Sequence, residues 1–213
     1  MFLPHDLIYL TSLSRLVNLK EIPFWAIKNL KKNPYVVVRR GIQKNDQIPI
    51  GIRDYKRSYR YGGKLDLKGS KKSFKIITPY QLVQEKAWNS LSKKRRSLPA
   101  LLAIPKIASI LKNYQWGIGG SCEFEITSGQ IMVKPKSDLD ILIKDNFFTH
   151  EQAQKLLKEI NQFGVHVDVQ IVSNENGFSL EEYVQQRDLN ILVKTAYGPI
   201  LSKNPFWSIK NIF

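Results

Sequence analysis

Three acidic residues in the second half of the chain, Asp138, Asp140 and Asp168, carry the most chemical information. Asp138 and Asp140 stand one residue apart in Ser137–Lys144 (SDLDILIK), a run that alternates and then turns wholly apolar, as a strand entering a covered sheet does. With a side-chain period of two, both carboxylates point to one side of that strand. Like charges so placed repel unless a cation sits between them. Hard divalent cations take oxygen ligands, and Mg²⁺ uses one or two protein carboxylates together with the phosphates of its substrate. Asp168 lies in a later alternating strand, Val165–Val172 (VHVDVQIV); if the two strands are neighbours, three acids converge. Upstream, Gly119-Gly120-Ser121 ends an apolar stretch and opens a short helix. Glycine lets backbone N–H groups approach a phosphate, a helix start favours negative charge, and Ser121 adds a hydroxyl. Turn and acids together describe a site for a metal-held polyphosphate, with cations stabilising the charge on phosphorus and on a departing pyrophosphate. Taken singly, each feature has a plainer reading: a turn, a solvated Asp pair, a surface Asp on an edge strand. Their order along the chain argues for one site.

The elements that must position these residues follow from periodicity. Tyr35–Arg39 and Ile48–Arg53 read as strands. Thr78-Pro79 reads as a helix start and is followed by a second helix over about Ala100–Asn113. Ser121–Thr127 is expected to form a short helix. Thr149 caps an amphipathic helix with Ala153, Leu156, Leu157, Ile160 and Phe163 on one face. A short helix near Ser179–Gln186 and a strand near Asn190–Thr195 complete a mixed α/β (α+β) pattern. Asp54–Lys75, dense in Arg, Lys, Tyr and Gly, is expected to be an exposed basic surface with too little apolar material for a core element. Composition changes near residue 98, dividing the chain into a basic amino-terminal domain, 1–97, which would bind substrate or carrier protein, and a catalytic domain, 98–213.

The 213 residues carry 33 Lys+Arg against 18 Asp+Glu, a net charge of +15, with 43% hydrophobic residues. That composition describes a folded chain with anionic partners, and nucleic acid, a phosphorylated metabolite or an acidic protein all satisfy the charge. The basic residues crowd into Arg39–Lys75 and Lys93–Arg96, outside the acidic site. The single Cys122 excludes an intramolecular disulfide and a Cys-rich zinc site and agrees with a reducing compartment. With no run long enough for a membrane helix and no signal-peptide pattern at Met1–Leu10, a cytoplasmic, membrane-free protein is expected.

The order of glycine-serine turn, Asp-x-Asp strand and later isolated Asp resembles the nucleotidyltransferase superfamily typified by polymerase β. Gly120-Ser121, Asp138 with Asp140, and Asp168 are the matching residues. Further stretches resemble the phosphoribosyl-dephospho-CoA transferases of malonate decarboxylase, its holo-acyl-carrier-protein synthases. They include Pro4-His5-Asp6-Leu7, VVVRR, Gly51 with Arg53, Arg57 and Arg60, Thr78-Pro79, WGIGGS, SDLDILI, VDVQ, and ILVKT followed by Gly198-Pro199. The resemblance covers nearly the whole chain. It implies a polymerase β-like core with a mixed sheet, triphosphoribosyl-dephospho-CoA as substrate, and a serine of the acyl-carrier subunit as acceptor, with pyrophosphate released. It further implies that Asp138, Asp140 and Asp168 hold Mg²⁺ (or Mn²⁺), with Asp168 helping to deprotonate the serine. Gly119, Gly120 and Ser121 would cradle phosphates, and Lys194, Arg53, Arg57 and Arg60 would contact them. His5 would position the start of the chain. Two other readings are a nucleotidyltransferase acting on a nucleic-acid end, with Tyr55, Tyr59 and Tyr61 stacking on bases, and an inactive binding module.

Overall fold

The computed structural model describes residues 2–56, 58–68, 74–186 and 189–212. The basic half builds an antiparallel five-stranded sheet from β1 (Leu7–Tyr9), β2 (Tyr35–Val38), β3 (Gln47–Arg53), β4 (Arg60–Asp66) and β5 (Lys75–Ile77), in the order β4-β3-β2-β1-β5. Alternation gives this sheet two faces. Ile8, Val36, Val38, Ile48, Ile50, Ile52 and Leu65 form one core with Ala26 and Leu30 of helix α1 (Phe24–Lys32). The opposite face contributes Leu7, Val37 and Ile77 to a second, larger core.

That larger core belongs mainly to a six-stranded sheet of β6 (Trp116–Ile118), β7 (Leu139–Lys144), β8 (Val167–Ser173), β9 (Asn176–Ser179), β10 (Ile191–Thr195) and β11 (Gly198–Ser202). Its order is β11-β10-β9-β8-β7-β6, and β7 and β8 run parallel while the other pairs are antiparallel. A parallel pair needs a crossover. Helix α6 (His150–Ile160) supplies it, starting at a Thr149–Gln152 capping box. The mixed sheet with flanking helices is the α+β architecture expected from the sequence. Residues 97 and 98 fall between the two sheets, which nonetheless share one apolar layer through Leu7, Val37 and Ile77. Helix α2 (Pro79–Gln84), capped by Thr78 as expected, lies on β6 so closely that a β-carbon on Gly117 would stand 2.6 Å from Pro79 Cβ.

One expectation about the basic segments is corrected. Asp54–Lys75 is not merely surface: β4 pairs along the length of β3, and Leu65 is fully buried beneath it. An edge strand needs few inward side chains, which is why its composition reads as loop. Lys93–Arg96 forms a short helix, α3, capped by Ser92, and its Arg95 turns inward. Helices α4 (Pro99–Ile110), α5 (Gly120–Ser128), α7 (Leu180–Gln185) and α8 (Pro205–Asn211) complete the described chain. No helix among the described residues is long and apolar enough to cross a membrane.

Candidate active site

The register of β7 and β8 sets the site. Asp140 and Asp168 are direct partners across the parallel pair, so their side chains rise from the same face of the sheet. Leu139, Ile141, Val167 and Val169 point the other way, into the core. The polar face continues across the sheet. Val172, in step with Asp168 and Gln170, pairs with Gly177 on β9, and Gly177 pairs with Lys194 on β10. Lys194 therefore shares the face of the two acids.

The glycine turn abuts this face. Gly119 N–H donates to the Asp140 carbonyl oxygen at 2.9 Å. Gly120 has φ +64°, and a β-carbon there would overlap the Asp140 carboxylate. Glycine is required twice over at this position, by backbone angle and by contact. Ser121 follows in the first turn of α5, so the helix start, Ser121 and Asp140 are neighbours, as the sequence order implied.

Asp138 behaves differently. The strand begins at Leu139, so the period-two argument does not bind Asp138. Its half-exposed carboxylate faces His166 Nδ1 at 3.6 Å, while His166 Nε2 lies 3.2 Å from Glu181. Among the described residues no group of three His, Cys, Asp or Glu side chains is gathered closely enough to hold a metal ion. The in-register Asp140–Asp168 pair nonetheless fits the group the resemblance implies: two oxygen donors on one face, beside a phosphate cradle, suit a hard cation that takes its remaining ligands from substrate.

Cations reach this face from the first sheet. Arg53 sits on the same side of that sheet as Gly51 and Val37, the side turned to the second sheet. Burial pulls its guanidinium below the usual arginine value, the charges of Glu123 and Asp140 oppose that, and Arg60 and Arg39 reinforce it. The expectation that basic residues lie outside the acidic site is thus corrected. Arg60 is the exposed cross-strand partner of Arg53. Arg57 lies outside the described residues.

His5 lies beside the glycine turn, its Nδ1 3.9 Å from where a Gly119 β-carbon would stand. Its backbone is held at φ +80° and its N–H donates to the Val38 carbonyl at 3.0 Å. A histidine in this backbone region stores strain of a kind that concentrates at functional sites. Burial first, then the charges of Arg40, Arg53 and Lys194, push its imidazole down to about 3, so it is neutral at pH 7, and its buried Nε2 has no hydrogen-bond partner among the described residues.

Three participants escaped the sequence reading. Arg40 is pulled down to about 10 by burial; it donates to the Glu175 carbonyl at 3.0 Å and to Gln170 Oε1 at 3.5 Å, and so tethers the first sheet to the β8–β9 turn. Asp6 is buried, accepts from the Leu3 N–H at 2.8 Å, and is pushed up to about 6 by burial. Glu123, in the first turn of α5, is buried, and its Oε1 has no hydrogen-bond partner among the described residues. Burial raises its carboxyl well above the usual value, Arg53 opposes this, and Asp6 and Asp140 add to it. A signal for Glu123 was present: Cys122–Ile126 (CEFEI) leaves no polar face on the helix, and all five residues are buried. Nothing in VVVRR marked Arg40.

Two larger cavities flank this constellation. One, about 550 Å³, lies between α2 and α4 and is lined by Trp88, Pro105 and Trp116. The other, about 800 Å³, lies between α1 and the carboxyl end of α5. Neither contains Asp138, Asp140 or Asp168.

Residues 84–205 match the family described as "Phosphoribosyl-dephospho-CoA transferase MdcG C-terminal domain". The chain is 30% identical to a phosphoribosyl-dephospho-CoA transferase of Pseudomonas syringae pv. tomato, over 99% of this chain and 95% of the relative. It is 28% identical to the transferase of the same name from Pseudomonas aeruginosa, over 98% and 95%, and 28% identical to one from Klebsiella pneumoniae, over 95% of each. No solved structure matches. By this near full-length similarity, the chain belongs to the phosphoribosyl-dephospho-CoA transferase family.

Proposed function

We propose that the protein transfers the phosphoribosyl-dephospho-CoA group from its triphosphate precursor to a serine of the apo acyl-carrier subunit of malonate decarboxylase. The serine oxygen forms a bond to the α-phosphorus of the precursor, the bond from that phosphorus to the pyrophosphate breaks, and the serine proton is lost. The observation that supports this most is the Asp140–Asp168 pair, in register on a sheet face that also meets the Gly119–Ser121 turn and the cations Lys194 and Arg53.

Asp140 and Asp168 would hold the metal, and Asp138, which faces His166 in this structure, would have to turn to add a third oxygen donor. When bound there, Mg²⁺ or Mn²⁺ would supply positive charge opposite the transferring phosphate and the leaving group. The start of α5 and Ser121 receive the terminal phosphates. Arg53 and Lys194 balance the remaining charge, Arg60 guides the precursor in from the rim, and Arg57 adds a further phosphate contact. Asp168 assists removal of the serine proton. The basic rim also suits an acidic carrier protein. The nucleic-acid reading loses support because Tyr59 stacks on Trp25 at 5.2 Å and Tyr61 packs against the first core.

The test is to incubate the purified protein with Mg²⁺, the triphosphoribosyl precursor and folded apo carrier, and to weigh the carrier by mass spectrometry. The expected result is a mass gain of one phosphoribosyl-dephospho-CoA group. An unchanged carrier mass contradicts the proposal.

A further inference from the structure

The cavity of about 800 Å³ between α1 and the carboxyl end of α5 has the size of a ligand pocket and a lining that catalysis at Asp140 does not use. Trp25, Lys28, Asn29 and Lys32 all line it. Their spacing of three and four residues puts them on one stripe of α1, while Ala26 and Leu30 are buried in the first core. An aromatic ring and two cations along one stripe suit a phosphorylated base, while the Asn29 amide is engaged by the Arg53 carbonyl and by Gln130. Tyr59 backs Trp25, stacked at 5.2 Å with an interplanar angle of 17°. Gln130, just past α5, joins this stripe: its Oε1 accepts from Asn33 Nδ2 at 2.8 Å and its Nε2 donates to Asn29 Oδ1 at 3.5 Å. Tyr35 also lines the cavity, and its ring meets Phe124 of α5 edge-on.

The cavity is tied to the acids in two ways. Helix α5 runs from Gly120, beside Asp140, to Ser128, on the cavity wall; its nine residues span about 12 Å. Asn29, on the α1 stripe, donates to the backbone carbonyl of Arg53, whose guanidinium charge faces Glu123 and Asp140. The cavity and the acids thus stand at opposite ends of one short buried helix.

We propose that this cavity binds the adenine nucleotide portion of the transferred group, with the base against Trp25 and the diphosphate of the dephospho-CoA moiety at Lys28 and Lys32. The assignment depends on the transfer reading for the identity of the ligand, since the adenine of such a precursor lies two sugars away from its reacting phosphate. It commits to a small nucleotide, not to a face of the carrier protein, because the surface is concave and combines aromatic and cationic groups.

The probe is dephospho-CoA, which carries no transferable triphosphate. Its binding to the full chain is measured by calorimetry for the wild type, Trp25→Ala, and the double variant Lys28→Ala/Lys32→Ala, whose two lysines are exposed. Circular dichroism confirms that each is folded. The expected result is binding by the wild type, weakened about tenfold or more in Trp25→Ala, the effect of one lost base–aromatic stack, and weakened in a salt-sensitive way in the double variant. Absence of wild-type binding, or equal binding by folded variants, overturns the proposal and leaves the transfer reading standing. Loss of affinity for the carrier with dephospho-CoA binding intact overturns it in favour of a protein-docking face. Nucleotide binding that depends on these residues, without any carrier mass gain, supports the pocket and refutes the transfer.

Discussion

Glu123 and Glu125 stand two residues apart on α5, both almost without solvent contact, and the fold treats them in opposite ways. Glu125 is satisfied on every side. Arg95 approaches it in a two-pronged ion pair at 2.6 and 2.8 Å, and the Met132 and Val133 amides each donate at 2.8 Å. Burial pushes this carboxyl up, but Arg95 and the two amides outweigh it and hold the group below the usual value. Arg95 also donates to the Val133 carbonyl, so the knot pins the loop after α5. Glu123 keeps an oxygen that is unpartnered among the described residues, beside the charges of Arg53, Asp6 and Asp140. A buried group with all its bonds made stabilises a fold, whereas one left incomplete marks a place where the fold serves something else. Glu125 closes a completed ion-pair knot, whereas Glu123 leaves an incomplete cluster beside Asp140.

Substitutions at the two ends should separate these roles. The largest effect is expected from Gly120→Ala, which drives a methyl group into the Asp140 carboxylate: transfer should fall by at least about 10³-fold, as when a group acting in the transition state is displaced, while circular dichroism stays native. Activity close to wild type would show that turn and acid do not act together. Next, Arg95→Ala should cost about 3–5 kcal/mol in urea unfolding by stranding Glu125, with transfer per folded molecule largely kept. A change below about 1 kcal/mol would put that pair in the class of weak surface bridges.

The smaller effects lie in pH dependence, and the two glutamates should differ in sign. Glu125 has a lowered folded value, so its contribution is present above the unfolded value near 4.5 and is lost as pH falls below it; the stability advantage of wild type over Glu125→Gln should shrink toward acid. Glu123 has a raised folded value, so its contribution is full below about 4.5 and is lost as pH rises; wild type should fall steadily behind Glu123→Gln toward neutral pH. Parallel slopes in the two variants would break the comparison. His5, pushed down to about 3, is bound by the same linkage: the unfolded chain takes up a proton between about 6.5 and 3 that the folded chain refuses. Wild-type stability relative to His5→Gln should therefore fall as pH drops through that window.

Much of the site was legible because its residues obey short periods. Alternation marked β7 and β8, the capping box marked α6, and the parallel pairing this crossover implies brings Asp140 to Asp168. Asp138 departed from the pattern because the strand starts one residue after it. β1 and β9, of three and four residues, are too short for alternation to register, and β4 hid its strand character behind an edge that buries little besides Leu65. Arg53, Arg40, His5 and Glu123 come together only when the two sheets close on one another, and no local pattern encodes that closure.

The most direct measurement is pyrophosphate release alongside carrier mass, for the wild type, Asp140→Asn and Asp168→Asn, each confirmed folded and each supplied with Mg²⁺, precursor and apo carrier. The account predicts one pyrophosphate per carrier modified by the wild type and neither product from the two variants. Turnover retained by a folded Asp140→Asn would place the chemistry elsewhere on the molecule and contradict it.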